Sequence, residues 1–397
     1  MILFPDKKDC CACGSCRAIC PQTAISMRED NLGFIYPEID SQKCIDCGLC
    51  QKVCAYQHIK ETNKPQCVYA AVSKNKEQLK KSASGGVFAA LATFVLSKGG
   101  VVYGSVMERE GNQFVVRHRG ITSLDELHLL QGSKYVQSDM GNCYKEIKAY
   151  LVEGRMVLFS GVPCQCAGLK GYLRTGYDNL ILIDIICHGV PNQRFFNDYI
   201  NYTFSKLRGI SGFVFRDKSE GWELKARLDY ANNRYKFIVP GVSSYYALFL
   251  DAQIYRENCY SCKYASSHRP GDITIGDYWG IQKEHPELVA KDKLNIQEGV
   301  SCIITNTPKG DKIITEIQGL ISTFPSSYAK VASHNGQLMS PSRKGIFRQQ
   351  IFDVYQTQGY SGVNKLYKKN YRLKRLIGVL FNILPYCAKN VLRQLKS

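Results

Sequence analysis

The chain has 397 residues, and 52 Lys and Arg against 34 Asp and Glu give it a formal net charge of +18. Its 45% hydrophobic and 22% charged residues are typical of a globular protein and exclude a disordered or fibrous one. No apolar run approaches the ~18–20 residues that cross a bilayer, and no secretory signal is found, so we expect a cytoplasmic protein. In that reducing compartment the 18 cysteines are expected to be metal ligands or redox groups and not disulfides.

The first predicted domain, residues 1–62, contains two cysteine runs with the same C-x2-C-x2-C-x3-C spacing. The first run is Cys10, Cys13, Cys16 and Cys20, and the second is Cys44, Cys47, Cys50 and Cys54. This spacing is typical of bacterial two-cluster ferredoxins, in which the fourth cysteine of each run ligates the other cluster. We therefore predict two 4Fe-4S clusters, one held by Cys10, Cys13, Cys16 and Cys54 and the other by Cys44, Cys47, Cys50 and Cys20. Zinc, the alternative, usually takes two pairs of ligands about a dozen residues apart or more.

The second predicted domain, residues 66–330, mixes strands and helices. In chain order we predict a helix over 87–98, strands over 101–106 and 114–119 around a turn at 111–112, helices over 124–130 and 142–152, strands over 156–159 and 180–186, a helix over 194–207, two strands around 232–233, a helix over 245–255 and a strand over 272–276. The strands over 156–159 and 180–186 are continuous apolar runs, and each ends in a cysteine-containing turn. The pattern predicts an α+β protein, with a bacterial-ferredoxin-like domain followed by a larger mixed α/β domain.

Six short motifs in the second domain resemble those of a known family. They are SGG at 84–86, GSKYVQS at 132–138, GVPCQ at 161–165, Asp184 with CHGVP at 187–191, CYSC at 259–262 and GDYWG at 276–280. With them, over roughly residues 1–310, the chain resembles the coenzyme F-420 hydrogenase/dehydrogenase beta-subunit family of iron-sulfur flavoproteins. The resemblance implies that the larger domain binds FAD, which iron-sulfur clusters connect to ferredoxin or another one-electron redox protein. It leaves open whether coenzyme F-420 or another small molecule reacts with the flavin.

The same motifs supply candidate flavin contacts. These are Ser84, Gly85, Gly86, Ser133, Lys134 and Tyr135. Free amide N–H groups at a helix start suit a pyrophosphate, although a serine cap with a glycine turn explains 84–86 equally well. Lys134 is expected to place a cation near the flavin or its phosphates, and Tyr135 an aromatic wall; a solvated lysine is the alternative. His188 is the candidate proton donor, against a purely structural histidine.

Four further cysteines predict a third 4Fe-4S cluster in the second domain. They are Cys164, Cys187, Cys259 and Cys262, which also match the family's cysteines. Cys164 and Cys187 follow two apolar strands, where ligands gather in open sheets. Tetrahedral zinc is the alternative, and Cys166 is the substitute ligand for Cys164. Cys11 has no assigned role.

The last predicted segment, residues 331–397, is a basic amphipathic tail. Its residues 364–397 contain nine Lys and Arg and no acid. Such a segment suits an anionic membrane surface at the inner face of the membrane. The alternatives are a solvated helix and a helix packed on the core through Leu376, Leu380 and Leu384. Nucleic acid is not expected, because no nucleic-acid-binding fold accompanies the charge.

Together these features predict an iron-sulfur flavoprotein oxidoreductase. Its FAD exchanges a hydride equivalent with an organic substrate or deazaflavin and passes single electrons to the clusters. The first alternative is an electron-transfer subunit that has no substrate site of its own. The second is a peripheral membrane adaptor in envelope polysaccharide synthesis.

Overall fold

The computed structural model describes residues 2–58, 62–205, 209–291 and 293–383. The strands are β1 Ile25–Glu29, β2 Ile35–Ile39, β3 Val68–Ser73, β4 Val101–Glu110, β5 Gln113–Ile121, β6 Val157–Gly161, β7 Leu180–Ile185, β8 Ile210–Val214, β9 Ala226–Tyr230, β10 Tyr235–Ile238, β11 Ile273–Asp277, β12 Ser301–Thr305 and β13 Ile321–Pro325. The helices are α1 Ser15–Ile19, α2 Leu49–Lys52, α3 Lys76–Lys81, α4 Val87–Ser97, α5 Leu127–Leu130, α6 Cys143–Val152, α7 Pro163–Leu173, α8 Gln193–Thr203, α9 Ser244–Leu250, α10 Ile281–Glu284, α11 Pro286–Ala290, α12 Pro308–Glu316, α13 Tyr328–Ala332, α14 Arg348–Asn370 and α15 Arg372–Ile383. Short 3-10 helices span Lys7–Asp9, Leu124–Glu126, Glu257–Ser261, Ile296–Glu298 and Gly336–Leu338.

The N-terminal unit has the ferredoxin-like arrangement that the cysteine spacing predicts. The strands β1 and β2 pair antiparallel, and the third cysteine of each run lies in a short helix, Cys16 in α1 and Cys50 in α2. Gly14 and Gly48 precede these helices with φ of 81° and 71°, a conformation that glycine adopts without steric cost. The two cysteine runs therefore adopt equivalent loop-to-helix conformations.

An eight-stranded sheet forms the core of the larger domain, in the order β13-β3-β12-β11-β7-β6-β4-β5. The central strands β11, β7, β6 and β4 are parallel, and antiparallel strands flank them on both sides. Helices α4 and α12 cover one face, and α6 and α7 cover the other. Because the parallel strands are buried on both faces, β6 and β7 are apolar nearly throughout. The predicted mixed α/β domain is confirmed.

Most predicted elements are confirmed, with shifts at their ends. The helix over 245–255 ends early, at Leu250, because Ala252 has a φ of 52° that an α-helix does not accommodate. The predicted cysteine-containing turn after the first apolar strand, over 161–166, is wrong, since α7 begins at Pro163 and contains Cys164 and Cys166. Proline is favoured at the first helical position, and this signal was available in the sequence.

The segment 348–371, inside the predicted tail, packs one side against the hydrophobic core. Ile351, Phe352, Tyr355 and Val363 of α14 are buried against α8 and α9. The next helix, α15, differs: Leu376 and Leu380 are 57% and 56% exposed, so these two residues do not pack on the core. Leu384 and Cys387 lie outside the described residues. No helix of the described chain is long and apolar enough to cross a membrane.

Candidate iron-sulfur and cofactor site

The cysteines predicted to hold the second ferredoxin cluster surround one small cavity. Cys20 of the first run lines it together with Cys44, Cys47 and Cys50 of the second. The backbone N–H of Ala24 donates to Cys20 Sγ at 3.3 Å, as expected where an amide approaches a cluster ligand. The structure thus brings together the four cysteines predicted for the second cluster.

The other predicted set also lies together, in a more buried position. Burial, with a smaller effect of the neighbouring thiols of Cys13 and Cys54, raises the pKa of the Cys10 thiol to about 11. Cys16 has those three thiols as its electrostatic neighbours. Cys13 Sγ lies 3.3 Å from Ser15 Oγ. Four soft thiolates in one place are a donor set that suits an iron-sulfur cluster.

The four second-domain cysteines meet beyond the carboxyl ends of β6 and β7. The thiols of Cys262, Cys187 and Cys259 are electrostatic neighbours of the Cys164 thiol. Burial raises the pKa of Cys187 to about 12, and the Cys262 thiol adds to the effect. Within the described ranges, no group of three or more Cys, His, Asp or Glu side chains is arranged around a single-ion position.

Two other cysteines are distinguished by their surroundings. Cys166, the predicted substitute ligand, donates its thiol to the carbonyl of Ile183 at 3.3 Å inside the apolar core. Cys11 instead lies between two predicted sets, because it packs in one buried cluster with Cys13 and Cys54 of one set and with Cys164 and Cys262 of the other. The sequence assigned no role to Cys11, and its contact with Cys164 arises only in the tertiary structure.

A cavity of roughly 430 Å³ opens at the carboxyl ends of β6, β7 and β11, beside the second-domain cysteines. Open α/β sheets bind ligands at this edge. The predicted residues that line it are Ser84, Gly86, Ser133, Lys134, Tyr135, His188, Cys164 and Cys259. One cavity therefore brings together motifs that lie far apart in the chain.

Gly85 differs from its neighbours. Its backbone N–H donates to Ser301 Oγ at 2.9 Å, so it is not available to a phosphate. Ser84 likewise donates its hydroxyl to the carbonyl of Val300, at 2.9 Å. Gly86, with a φ of 80°, precedes α4 and lines the cavity together with Val87. An anion at this helix start would meet the Gly86 end of the motif and not the Gly85 amide.

The GSKY motif is held by backbone contacts. Lys134 Nζ donates to the carbonyls of Leu129 at 3.1 Å and Gln131 at 2.8 Å. Burial lowers the pKa of this amine to about 7. The Tyr135 ring stacks on Phe249, with 4.6 Å between the ring centroids. Tyr135 thus presents an aromatic ring in the cavity wall.

Sequence reasoning missed a buried cation in the cavity wall. Arg216 Nη1 pairs with Asp277 at 2.8 Å and donates to Tyr135 Oη at 3.3 Å. Trp222 Nε1 also donates to Asp277, at 3.0 Å, and its ring stacks on Trp279 at 4.7 Å. The GDYWG motif contains Asp277 and Trp279. Their partners, Arg216 and Trp222, lie in the connection between β8 and β9, and nothing in the neighbouring sequence indicates this pairing.

His118 was also missed. Burial lowers the pKa of its imidazole to about 4, so the ring is neutral. Nε2 lies 3.1 Å from the Ser160 carbonyl and Nδ1 2.9 Å from Ser138 Oγ. His188 lines the same cavity, and burial lowers its pKa as well. Two neutral imidazoles therefore border the cavity.

A buried ion pair positions the cysteine-containing loops. Asp184, at the end of β7, accepts from Arg269 Nη2 at 2.6 Å, and Arg269 Nη1 donates to the carbonyl of Tyr264 at 2.8 Å. The pair connects the strand before Cys187 to the loop after Cys262. Its role is structural, because both charged groups are buried and satisfied.

These features define an iron-sulfur protein, with a dicluster ferredoxin unit joined to a mixed α/β domain that contains a cofactor-sized cavity. A family model for a 4Fe-4S dicluster domain matches residues 9–58. The models for the N-terminal and C-terminal parts of the coenzyme F-420 hydrogenase/dehydrogenase beta subunit match residues 68–144 and 154–325. The chain belongs to this beta-subunit family.

Two further comparisons complete the findings. A chain of the F-420-reducing NiFe hydrogenase complex from Methanosarcina barkeri is similar in structure, at 15% sequence identity and a TM-score of 0.46, covering 78% of this chain and 94% of that one. A comparison with curated proteins found no match.

Proposed function

We propose that the protein is an FAD- and iron-sulfur-dependent oxidoreductase that exchanges electrons between a small organic molecule and a one-electron redox protein. The observation that supports this best is the cavity of roughly 430 Å³, which the predicted flavin motifs and two second-domain cysteines line together. FAD, when bound there, would convert a two-electron exchange into single-electron steps.

Unsatisfied polar atoms in the cavity wall fit a bound polar cofactor. Among the buried side-chain atoms that line the cavity, Ser105 Oγ, Gln131 Oε1 and Asn258 Oδ1 have no hydrogen-bond partner within the described residues. Buried polar groups are normally hydrogen-bonded, so a concentration of exceptions in one cavity indicates a missing partner. The start of α4 at Gly86 and Val87 would hold the pyrophosphate, and Tyr135 would bound the ring system.

The three sets of thiols form a series from the surface to the cavity. Cys47 of the outer set is exposed, and it lies beside the exposed side chain of Ile45. In the Cys10 set Cys13 is buried and the other three cysteines are half-buried, and Cys164 and Cys259 of the third set border the cavity. Cys11, which packs with Cys13 and Cys164, lies between the second set and the third. A redox partner would therefore meet the protein near Cys47, at the end of the series far from the cavity.

Anaerobic purification with quantified iron, sulfide and flavin tests this function. We expect about twelve irons per chain, from three four-iron clusters, and one FAD. Cys187→Ala should lower the iron content to about eight, and the matched control Cys67→Ala, which changes a cysteine outside every set, should leave it unchanged. A wild-type content of about eight irons would refute the third cluster, and purification without flavin would refute the cavity assignment.

Turnover separates the enzyme from the rival function. An oxidoreductase should reduce an artificial one-electron acceptor when given a hydride donor, including reduced coenzyme F-420. An electron-transfer subunit without its own substrate site should show no such turnover alone, although its clusters would be reduced by dithionite. Because the cavity is assigned to FAD in both cases, turnover is the observation that separates the two functions.

We also propose that α15 places the protein on an anionic membrane surface at the cytoplasmic side. The helix exposes Leu373, Leu376 and Leu380, and Arg372 and Arg375 lie among them in the sequence. Apolar insertion combined with a basic face is typical of interfacial helices. Co-sedimentation with vesicles containing phosphatidylserine, at low salt, tests the binding.

A further inference from the structure

We propose that Arg256 is a positioning residue that compensates the negative charge of two neighbouring iron-sulfur clusters, those assigned to the Cys10 set and the Cys164 set, and thereby raises the reduction potential of both. The inference rests on the proposed function, because it needs the third cluster as well as the ferredoxin pair. It concerns a residue to which neither the cysteine spacing nor the six motifs assign a role.

Arg256 is a buried cation with only neutral partners. The residue is 0% exposed. Nε donates to the carbonyl of Cys10 at 3.1 Å, and Nη1 donates to the carbonyl of Ile35 at 2.7 Å and to Gln137 Oε1 at 3.4 Å. The guanidinium carbon lies 4.0 Å from the ring centroid of Tyr36. None of these groups carries a charge that balances the guanidinium.

The other buried arginines of the described chain all have a carboxylate partner. Arg216 pairs with Asp277, Arg269 with Asp184, and Arg348 with Glu257. A buried charge is costly unless it is paired, so the isolation of Arg256 requires an explanation. An anionic group that occupies the adjacent space would supply the missing counter-charge.

The position of the unpartnered atom indicates where that anion lies. Arg256 Nη2 is buried and has no hydrogen-bond partner among the described residues, and Arg256 lines the cavity together with Cys164 and Cys259. Arg256 also contacts the Cys10 loop directly, because its Nε donates to the Cys10 carbonyl. Arg256 is therefore close to ligands of both predicted clusters, and a guanidinium N–H can donate to cluster sulfur.

A cation in this position favours the reduced clusters. A 4Fe-4S cluster with four thiolates is an anion, and reduction adds one more negative charge. Net charge and hydrogen bonds to sulfur are among the properties that determine the reduction potential of such clusters. Removal of Arg256 should therefore make both neighbouring clusters harder to reduce, whereas the outer cluster of the Cys44 set should be little affected.

Redox titration of the anaerobically purified holoprotein, followed by electron paramagnetic resonance, tests the inference. In Arg256→Met, the equilibrium constant for one-electron reduction of the two neighbouring clusters should fall at least tenfold, a shift of about 59 mV to lower potential. Arg256→Lys keeps the charge and should restore most of that shift. The cluster assigned to Cys20, Cys44, Cys47 and Cys50 is the internal control in every sample.

The outcomes separate this inference from the proposed function. About twelve irons with unchanged potentials in Arg256→Met would overturn the role of Arg256 and leave the proposed function intact. About eight irons in the wild-type protein would overturn the third cluster, and with it the two-cluster role. If Arg256→Met loses iron, Arg256→Gln, which keeps N–H donors to the same carbonyls, decides the question: an unshifted potential in that variant refutes the charge compensation.

Discussion

The ion pair between Asp184 and Arg269 should be the most costly single contact to remove in the second domain. Asp184 Oδ1 accepts from Arg269 Nε at 2.9 Å, Arg269 Nη2 at 2.6 Å and Thr274 Oγ1 at 2.9 Å, and Oδ2 accepts from the Gly271 amide at 2.8 Å. The side chains are 0% and 1% exposed, so water does not replace these contacts.

Asp184→Asn keeps the shape of the side chain but removes its charge. Arg269 is then a buried cation without a counter-charge, which costs about 3–5 kcal/mol. The new amide also presents N–H donors where the carboxylate accepted, so at least one donor loses its acceptor. We expect the free energy of unfolding to fall by that amount, with loss of iron from the Cys164 set before the ferredoxin set, because Arg269 also holds the loop after Cys262.

The assay is urea unfolding of the anaerobic protein, followed by far-ultraviolet circular dichroism, together with iron content. Glu77→Gln is the matched control: it removes the charge of an exposed pair with Lys80 at 3.2 Å, which contributes less than about 0.5 kcal/mol. The reasoning is refuted if Asp184→Asn shifts the free energy of unfolding no more than Glu77→Gln does.

Three further predictions concern the outer cluster, the α15 surface and the GSKY motif. Cys47→Ala should remove about four irons and leave the bound flavin unchanged; loss of flavin in that variant would contradict the separation of the two sites. Leu376→Asp should abolish co-sedimentation with phosphatidylserine vesicles, while Lys374→Gln, at a residue engaged with Asp251, should only weaken it; the absence of binding by the wild type at low salt would exclude the membrane proposal. Burial lowers the folded-state pKa of Lys134 to about 7, so the unfolded chain binds more protons between about pH 7 and the ordinary lysine value, and stability should rise with pH across that window. Lys134→Met should flatten this rise. If the free energy of unfolding changes equally between about pH 7 and about pH 9 in the wild type and in Lys134→Met, the prediction is refuted.

The cysteine runs show what local sequence determines. A cluster ligated by three thiolates from one loop depends on their spacing, and the spacing is a local property that can be read without a fold. The paired positive-φ glycines at Gly14 and Gly48 follow from the same loop geometry. The apolar runs of β6 and β7 likewise predicted buried strands, because strands covered on both faces have no polar alternation.

Other features depend on contacts between distant segments. The SGG motif was predicted to offer free amide N–H groups, including that of Gly85. The Gly85 N–H instead donates to Ser301 Oγ, 216 residues away in the chain. The basic C-terminal segment predicted a tail from residue 331, yet Phe352 and Val363 are buried in an aromatic core built from α8 and α9. Neither contact leaves a signal in the residues that surround it in the sequence.

The sequence by itself determined the class of protein, the ferredoxin ligand pattern and the motifs of the larger domain, because each depends on spacing or on the periodicity of neighbouring residues. Only the tertiary structure decided which motifs border one cavity, that Cys11 lies between two thiol sets and that Arg256 is buried without a counter-charge. The physical reason is that burial and pairing depend on segments that folding brings together from up to about 250 residues apart, such as Arg256 and Cys10.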